Sequence, residues 1–208
     1  MAASQSSVRV AVHGASGRLG ALIVEEAGAA YAGPIGRDGI IPACDVIIDV
    51  SSAEGTAALL PKLTGQALVV GTTGDLPSAA LEQYAETAAV AIVPNFSVGI
   101  PLLLELVQRA VGALPPGWDI EIVEAHHHHK KDAPSGTAKR LARAVGRPEV
   151  PTHSLRVGDT FGEHTVWLSG PGERIELKHV ATRRQVFAIG AMRWARQLAS
   201  APAGLQRP

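Results

Sequence analysis

The sequence predicts an α/β protein with an N-terminal parallel sheet and a C-terminal α+β domain whose sheet is mixed or antiparallel. Two observations lead to this prediction. Over residues 8–96, short apolar runs alternate with helical patterns, and each run ends in a loop with Gly, Thr or Asn; this alternation is typical of βαβ units. From residue 118 onward, several segments alternate polar and apolar residues, which favours strands with one buried face.

In the first half of the chain, each predicted element rests on local patterning. The run 8–12 is apolar and ends at a glycine turn, which is typical of a buried strand. The helix expected over residues 19–30 has Leu22 and Ile23 on its apolar face and Glu25 in solvent. Further strands are expected at 32–36, 45–50, 67–70 and 90–93, and further helices at 77–88 and at 55–63, where Pro61 must lie near an end or kink the helix.

The second half lacks this regular alternation. Helices are expected over residues 100–111, 138–145 and 185–198, and strands over 118–123, 153–157, 163–168 and 174–179. The last three strands are expected to be antiparallel, because they alternate polar and apolar residues. We place the domain boundary near residues 96–101. The expected domains are therefore a first domain at 1–96, to which 185–208 returns, and a second domain at 97–184.

The composition narrows the class of protein. Apolar residues make up 46% and charged residues 18% of the 208 residues, a globular balance. The formal net charge of +0 speaks against a broad nucleic-acid-binding face, and no apolar run approaches the ~20 residues of a membrane span. The N-terminus lacks the features of a signal peptide, and the single cysteine, Cys44, cannot form an internal disulfide. We therefore expect a cytoplasmic protein.

A glycine-rich turn, Gly14-Ala-Ser-Gly-Arg-Leu-Gly20, joins the first strand to the first helix. Glycine lets the backbone approach a pyrophosphate, and a helix N-terminus offers N–H donors and a positive dipole. The spacing is GxxGxxG, so an ordinary βα turn is the alternative. We expect a dinucleotide here, in contact with Gly14, Ser16, Gly17, Arg18 and Leu19.

The end of the second strand predicts which dinucleotide is bound. An acidic residue about 20 residues after the glycine turn commonly holds the ribose 2′-hydroxyl, but here the strand ends at Gly36-Arg37. A glycine in the place of the acid, followed by Arg37, favours a 2′-phosphate, and so NADPH over NADH. The alternative is that Asp38 binds the ribose hydroxyl, in which case NADH could serve as the cofactor.

Two further loops follow predicted strands: Gly71-Thr72-Thr73-Gly74 and Pro94-Asn95-Phe96-Ser97. Ligands of open α/β sheets bind at the carboxyl ends of the strands. We therefore expect the nicotinamide half of the cofactor to contact Gly71, Thr72, Thr73, Asn95 and Phe96. Turn chemistry alone is the alternative explanation of both loops.

Residues 124–137 read Glu-Ala-His-His-His-His-Lys-Lys-Asp-Ala-Pro-Ser-Gly-Thr. An embedded purification tag is disfavoured, since the run lies in mid-chain after a patterned strand. Adjacent residues of an extended segment point to alternate faces, so the four histidines cannot all bind one metal ion, and no HExxH or CxxC motif accompanies them. Imidazole titrates near neutrality and lysine carries a fixed charge. The run therefore predicts a proton donor beside an anion site.

The run ends in Pro134-Ser135-Gly136-Thr137, at the start of a predicted helix. A serine or threonine caps a helix, and a glycine exposes backbone N–H groups to an anion. A plain N-cap is the alternative, but Lys130 lies nearby and favours a bound substrate carboxylate.

The run 124–137 closely resembles the signature of the 4-hydroxy-tetrahydrodipicolinate reductase family, formerly the dihydrodipicolinate reductases, of the diaminopimelate route to lysine. The resemblance extends in order over nearly the whole chain. Residues 14–20, 71–74 and 95–99 are similar to the family's cofactor-side motifs, and residues 157–159, 162–165 and 172–174 are similar to its later motifs.

The resemblance implies a Rossmann-like first domain and a second domain that binds substrate and whose sheet builds a homotetramer. It also implies reduction of a cyclic imine with two carboxylates by NADPH or NADH, with loss of water. His126 is implied as the proton donor and Lys130 as an essential lysine. The residues implied to bind substrate are His127, Gly136 and Thr137, and Arg184 resembles an arginine near the domain junction on the cofactor side.

The chain departs from the family's pattern in two ways. It is shorter, with a strand–helix excursion on the adenosine side expected to be trimmed after Gly39, and Gly36 replaces the acidic ribose contact. Two other functions stay open: an amino-acid dehydrogenase of similar build that acts on a substrate such as aspartate, and a noncatalytic NADPH-binding sensor. The dense His-Lys segment speaks against the first, and the intact His126 and Lys130 speak against the second.

Overall fold

The computed structural model describes residues 8–206, so the expectations for the N-terminal segment before residue 8 lie outside the described residues. The chain divides into two compact units. One comprises the described residues up to Phe96 together with those from Gln185 onward, and the other is Ser97–Arg184. Among the helices of residues 8–206, none is long and apolar enough to cross a membrane.

The first unit is built on a six-stranded sheet in which all paired strands are parallel. Its strands, numbered along the whole chain, are β1 (Val10–His13), β2 (Tyr31–Ile35), β3 (Val46–Asp49), β4 (Ala67–Val70), β5 (Ala89–Ile92) and β10 (Gly204–Gln206). They lie in the order β10-β5-β4-β3-β1-β2. The strand order therefore reverses at β1 and β3, whose carboxyl ends border the crevice where sheets of this Rossmann-like kind bind ligands.

Helices cover both faces of this sheet. They are α1 (Arg18–Ala27), α2 (Ala53–Leu59), α3 (Ser78–Ala85) and α6 (Gln185–Leu198). Val10 and Val12 of β1 lie in one apolar cluster with residues of α1 and α6, while Ala11 lies in another with residues of α2 and α3. The central strands β3 and β4 are buried at every position, and they are mainly apolar because both of their faces are covered. Pro61 lies in a short 3₁₀ turn that follows α2, which confirms its expected place near a helix end.

The second unit is a four-stranded sheet with helices packed on one face. Its strands are β6 (Asp119–His126), β7 (Thr152–Arg156), β8 (Glu163–Gly170) and β9 (Glu173–Val180), in the order β7-β6-β8-β9, and its helices are α4 (Gly99–Ala113) and α5 (Gly136–Val145). Ile122 of β6 and Val166 of β8 pack in one cluster with Leu103 of α4 and Leu141 of α5. The sheet is mixed, so the predicted fold class is confirmed.

Two expectations about individual strands are corrected, and a third strand was not predicted. The expected antiparallel pairing of residues 153–157 is wrong, because β7 runs parallel to β6. The connection between these strands contains α5, and a helical crossover returns the chain in the same direction. β6 extends beyond its expected end at Val123 to His126. The pattern does not predict β10, since a strand of three residues carries no detectable period.

Candidate functional site

The glycine turn of the first unit is closed and tightly packed around Gly14. Gly14 has a φ of +85°, and a Cβ on it would lie 2.7 Å from the Val50 carbonyl oxygen. The N–H of Gly17 donates to the Gly14 carbonyl at 3.0 Å, which closes the turn. Gly17 is the N-cap of α1 and provides no side-chain cap, so the first N–H groups of the helix remain for a ligand. Ser16 and Arg18 are exposed, whereas Leu19 is half-buried.

Asp49 is a buried acid at the carboxyl end of β3. Its carboxylate accepts hydrogen bonds from the hydroxyls of Ser51 and Thr56, each at 2.6 Å, and lies 3.1 Å from His13 Nδ1. Burial raises the pKa of Asp49, but the bonds from His13, Ser51 and Thr56 outweigh this and hold the pKa below its usual value. Asp49 therefore ties together the loops that follow β1 and β3, beside the glycine turn.

The loops after β4 and β5 meet at Gly71 and Phe96. A Cβ on Gly71 would overlap with the Phe96 ring, so glycine allows the ring to pack there. Phe96 is only 4% exposed and belongs to the core. Thr72 is buried, Thr73 is exposed and Asn95 is half-buried. The structure thus brings the two predicted loops together, while their contacts with a cofactor stay predictions.

The loop after β2 carries positive charge. Arg37 is exposed in this loop, and the ammonium of Lys62 lies 3.5 Å from the Asp38 carbonyl oxygen. The Asp38 carboxylate accepts the Ile40 N–H at 3.2 Å, a bond within the loop. The sequence patterns single out Arg37 but not Lys62, which approaches from the segment after α2.

In the second unit, the histidine run begins in a strand and ends in a turn. His126 is the last residue of β6 and is 9% exposed. His128 and His129 are exposed, with ring centroids 3.8 Å apart. The Lys130 N–H donates to the His127 carbonyl at 3.0 Å, which closes the turn. Within residues 8–206, no three His, Cys, Asp or Glu side chains are grouped as metal ligands.

A buried carboxylate lies beside His126. Glu124 is fully buried, and its Oε2 lies 2.5 Å from His126 Nδ1. Arg156 of β7 binds both oxygens of Glu124, with Nη2–Oε1 and Nη1–Oε2 distances of 2.9 and 3.0 Å. Burial raises the pKa of Glu124, but hydrogen bonds from Arg156, Ser154 and His126 outweigh it and lower the pKa to about 2. Glu124 is therefore ionised at neutral pH.

A second histidine, His164 of β8, lies edge-on to His126, with ring centroids 5.2 Å apart. Its Nε2 is 3.2 Å from the Ser135 hydroxyl. Burial lowers the pKa of His164 to about 3, so this ring is neutral. Burial also lowers the pKa of His126, but the bond to Glu124 opposes this effect. Of these two histidines, His126 is the one whose protonated form is supported by a carboxylate.

Helix α5 begins next to this cluster. Ser135 is its N-cap: the hydroxyl accepts the Ala138 N–H, and the N–H of Ser135 donates to Glu124 Oε1, both at 3.2 Å. Gly136 and Thr137 are the first residues of the helix, and the positive end of the helix dipole favours an anion there. A Cβ on Gly136 would meet open space, so an anion has access to this end of the helix.

Lys130 points its ammonium at an exposed acid, with Nζ 2.7 Å from Asp132 Oδ1. The Lys130 side chain is 24% exposed and that of Asp132 is 52% exposed. Exposed ion pairs contribute little stability, so a substrate carboxylate can take the place of Asp132. Arg156 holds the turn that contains Lys130 and Asp132. Its Nε donates to the Lys130 carbonyl at 3.2 Å, and its Nη2 donates to the Asp132 carbonyl.

Arg184 is the last residue of the second unit. Its guanidinium lies 5.5 Å from the centre of the Phe161 ring, a cation–π contact. The expected contact of Arg184 with a cofactor stays a prediction.

The five residues expected to bind or protonate substrate lie at the end of β6, on the turn after it and at the start of α5. They are His126, His127, Lys130, Gly136 and Thr137. Their roles stay predictions. The patterns do not single out Glu124, Arg156 or His164 as site residues. A signal for Glu124 does exist: it precedes His126 by two positions, so both side chains lie on the same face of a strand.

Two protein-family models match the chain. The model described as "Dihydrodipicolinate reductase, N-terminus" matches residues 36–96, and the one described as "Dihydrodipicolinate reductase, C-terminus" matches residues 99–207. The second match alone spans more than half of the chain and includes the whole of 124–137.

Named relatives match over nearly their full length. The 4-hydroxy-tetrahydrodipicolinate reductase of Xanthomonas euvesicatoria pv. vesicatoria (strain 85-10) is 44% identical, covering 97% of this chain and 96% of the relative. That of Stenotrophomonas maltophilia (strain R551-3) is also 44% identical, covering 98% and 97%. The first alignment spans 230 positions against the 208 residues of this chain, so the relative has residues without a counterpart here.

Solved structures share the fold. A dipicolinate-bound dihydrodipicolinate reductase from Paenisporosarcina sp. TG-14 superposes with a TM-score of 0.73 at 22% identity, covering 96% of this chain and 97% of the other. An aspartate dehydrogenase from Thermotoga maritima gives 0.51 at 15% identity, covering 94% and 98%. At these identities the likeness shows the fold alone, whereas the two family models and the relatives at 44% identity identify the family. The chain belongs to the 4-hydroxy-tetrahydrodipicolinate reductase family.

Proposed function

We propose that this chain catalyses the NAD(P)H-dependent reduction of 4-hydroxy-tetrahydrodipicolinate to tetrahydrodipicolinate, with loss of water, in diaminopimelate and lysine biosynthesis. The relatives of the chain carry the name of this activity. The observation that carries the proposal is the pairing of His126 with Glu124 next to Lys130 and the start of α5. This arrangement combines a proton donor with a site for carboxylates.

Each unit supplies a different part of the chemistry. The glycine turn fits the phosphates of a dinucleotide, because Gly14 has a positive φ and α1 starts without a side-chain cap. The nicotinamide cofactor supplies the hydride. In the second unit, the Lys130 ammonium and the N–H groups of Gly136 and Thr137 hold the substrate's two carboxylates, and this orientation lowers the entropic part of the barrier. The hydroxyl leaves as water together with a proton from the neighbouring ring carbon, and His126 gives the ring the one proton that balances the hydride.

The assay follows NADPH oxidation by absorbance, with the substrate generated in place by the preceding synthase from pyruvate and aspartate semialdehyde. We expect oxidation that requires the synthase and both of its substrates. If folded protein that binds nucleotide oxidises neither NADPH nor NADH, the reductase proposal fails and a noncatalytic sensor is favoured. Nucleotide reduction with aspartate as substrate would instead favour the aspartate-type dehydrogenase.

The same assay tests a preference for NADPH, which the charges of the first unit favour. Arg37 and Lys62 place positive charge on the loop after β2, where a 2′-phosphate is expected. The Asp38 carboxylate already accepts a hydrogen bond from the Ile40 N–H, so it is less available to accept one from a ribose hydroxyl. We expect a lower KM for NADPH than for NADH. An equal or lower KM for NADH would refute the preference.

We also propose that four copies of the chain assemble through the sheet of the second unit. Helices α4 and α5 pack on one face of this sheet. The opposite face carries Leu155, Trp167 and Val180, all exposed in the single chain, and the guanidinium of Arg174 lies 4.5 Å from the centre of the Trp167 ring. Exposed apolar side chains grouped on one face are typical of an interface.

Sedimentation velocity at assay concentrations tests this assembly. We expect about four times the mass of one chain, and a smaller assembly for Trp167→Glu, because a charge would be buried in the interface. Glu149→Gln is the matched control, since Glu149 is exposed outside the strands of this sheet. A single-chain mass for the wild type would refute the tetramer.

A further inference from the structure

Glu124 is a fully buried carboxylate on the face of β6 that also carries Ile120 and Ile122. A buried charge is costly unless it is paired and hydrogen-bonded. Its oxygens accept from both terminal nitrogens of Arg156, at 2.9 and 3.0 Å, and from the Ser135 N–H at 3.2 Å. These bonds hold the carboxylate in place. The contact with His126 Nδ1, at 2.5 Å, connects it to the proposed proton donor.

Arg156 keeps Glu124 ionised and also anchors the turn with Lys130. Its planar guanidinium binds both carboxylate oxygens, a geometry that lysine does not offer, and its Nε donates to the Lys130 carbonyl at 3.2 Å. Burial raises the pKa of Glu124, but the bonds from Arg156, Ser154 and His126 lower it to about 2. Glu124 therefore carries a negative charge at any pH near neutrality.

An ionised carboxylate only accepts hydrogen bonds, so the contact with Glu124 requires a proton on His126 Nδ1. The neutral ring then has its lone pair on Nε2, and the protonated ring carries its transferable proton there. Gly162 leaves room around this atom: its φ is +140°, and a Cβ on it would lie 3.2 Å from His126 Nε2. Nε2 is thus the atom from which a proton passes to a ligand.

We propose that Glu124, held by Arg156, is a positioning residue for the reduction: it fixes the Nδ1-protonated tautomer of His126 and stabilises the protonated ring that donates from Nε2. This inference rests on the proposed function and adds to it the residue that sets the acid strength of the donor. Glu124 forms no covalent bond in this role, and the proton that leaves Nε2 is replaced from solvent.

The charges around His126 determine whether its pKa rises or falls when Glu124 is replaced. Burial has the largest influence and lowers the pKa of His126; Glu124 raises it, and Lys130 and Arg156 lower it. His164, which lies edge-on from β8, is neutral because burial lowers its pKa to about 3. Replacing Glu124 by glutamine removes the negative charge in contact with the ring. The pKa of His126 must then fall, because an adjacent opposite charge shifts a pKa by about 1–3 units.

The pH dependence of kcat in Glu124→Gln tests the inference. A general acid acts only when it is protonated, so kcat falls as the pH rises through the pKa of His126. We expect this falling limb to lie about one to two pH units lower in Glu124→Gln than in the wild type, with little change in affinity for dipicolinate, a dicarboxylate probe. A limb that coincides with that of the wild type would overturn the proposal.

Glu149→Gln is the matched control, because it removes the same charge at an exposed position outside the strands of the second unit's sheet. Its pH profile should coincide with that of the wild type. If Glu124→Gln does not fold, Glu124→Asp takes its place: kcat should fall while the limb stays near its wild-type position, because the charge is kept. A limb that moves by about one unit in this variant would contradict the proposal.

Nitrogen NMR of the wild-type chain, labelled at histidine, gives a readout that does not depend on turnover. The neutral His126 ring, assigned by its loss in His126→Gln, should be protonated at Nδ1. Protonation at Nε2 instead, in an enzyme that reduces the substrate, would overturn the inference and leave the proposed function intact. A wild type without reductase activity would refute both, so the two failures are distinguishable.

Discussion

Lys130→Met should lower kcat/KM for the reduction by about 100-fold, because a hydrogen bond to a charged group contributes roughly 1.5–3 kcal/mol and each 1.4 kcal/mol is a factor of ten. In the structure, the Lys130 ammonium already holds a carboxylate, that of Asp132, at 2.7 Å. Because Asp132 is half-exposed, a substrate carboxylate replaces it at small cost. Methionine keeps the apolar stem and removes only the charge and its hydrogen bonds.

Steady-state kinetics and calorimetric titration with dipicolinate measure this loss. Both affinity and turnover should fall, since Lys130 holds the substrate before and during the reaction. Lys131→Met is the matched control, because Lys131 is an exposed neighbour in the same segment and its replacement should leave the kinetics near those of the wild type. Wild-type kinetics in Lys130→Met would remove this residue from the site.

The parallel sheet could be predicted because its strands are buried on both faces. The strands Val46–Asp49 and Ala67–Val70 are buried at every position, so they form short apolar runs that need no knowledge of their partners. The position of strand β7 was predicted correctly, but its direction relative to β6 was not. Alternation shows which side of a strand is buried, whereas its direction depends on the helical crossover through α5. The strand β10 was not predicted, because it has three residues and lies at the edge of the sheet, next to β5.

The strand β6 shows why part of the site escapes prediction. Its inward positions are Ile120, Ile122, Glu124 and His126, so the apolar alternation stops where the chemistry begins. A polar residue at a core-facing position breaks the apolar alternation, so the pattern places the end of the strand too early. Polar residues at such positions are expected at functional sites. The histidine run was therefore predicted as a proton donor, but not as a strand end with Glu124 beside it.

Site residues that come from distant parts of the sequence are the second group that sequence patterns do not predict. Arg156 reaches Glu124 because β7 aligns Arg156 with His126 and Ser154 with Glu124, a register that no local pattern specifies. On the cofactor side, the Phe96 ring fills the core over Gly71, while the contact of Phe96 with the nicotinamide half stays a prediction. Sequence spacing places such a residue at a strand end but does not say whether its side chain faces a ligand or the core.

His126→Gln should lower kcat by about 10²–10⁴-fold, the usual contribution of a positioned general acid, and abolish the falling limb of the pH profile. Glutamine is the informative replacement, because its amide N–H can donate to Glu124 in place of Nδ1. The buried carboxylate then keeps its donor, and the fold does not bear the cost of an unpaired charge. Affinity for dipicolinate should change little, since Lys130 and the start of α5 hold the carboxylates.

The kinetics of His126→Gln are compared with those of His129→Gln, whose ring is exposed in the turn and whose loss should leave kcat near the wild-type value. A kcat for His126→Gln close to that of the wild type would mean that the proton comes from another group. A loss of dipicolinate affinity that accounts for the whole effect would make His126 a binding residue and not the acid. Comparison with Glu124→Gln separates donor from positioning residue: removing His126 removes the pH limb, whereas removing the carboxylate of Glu124 moves it.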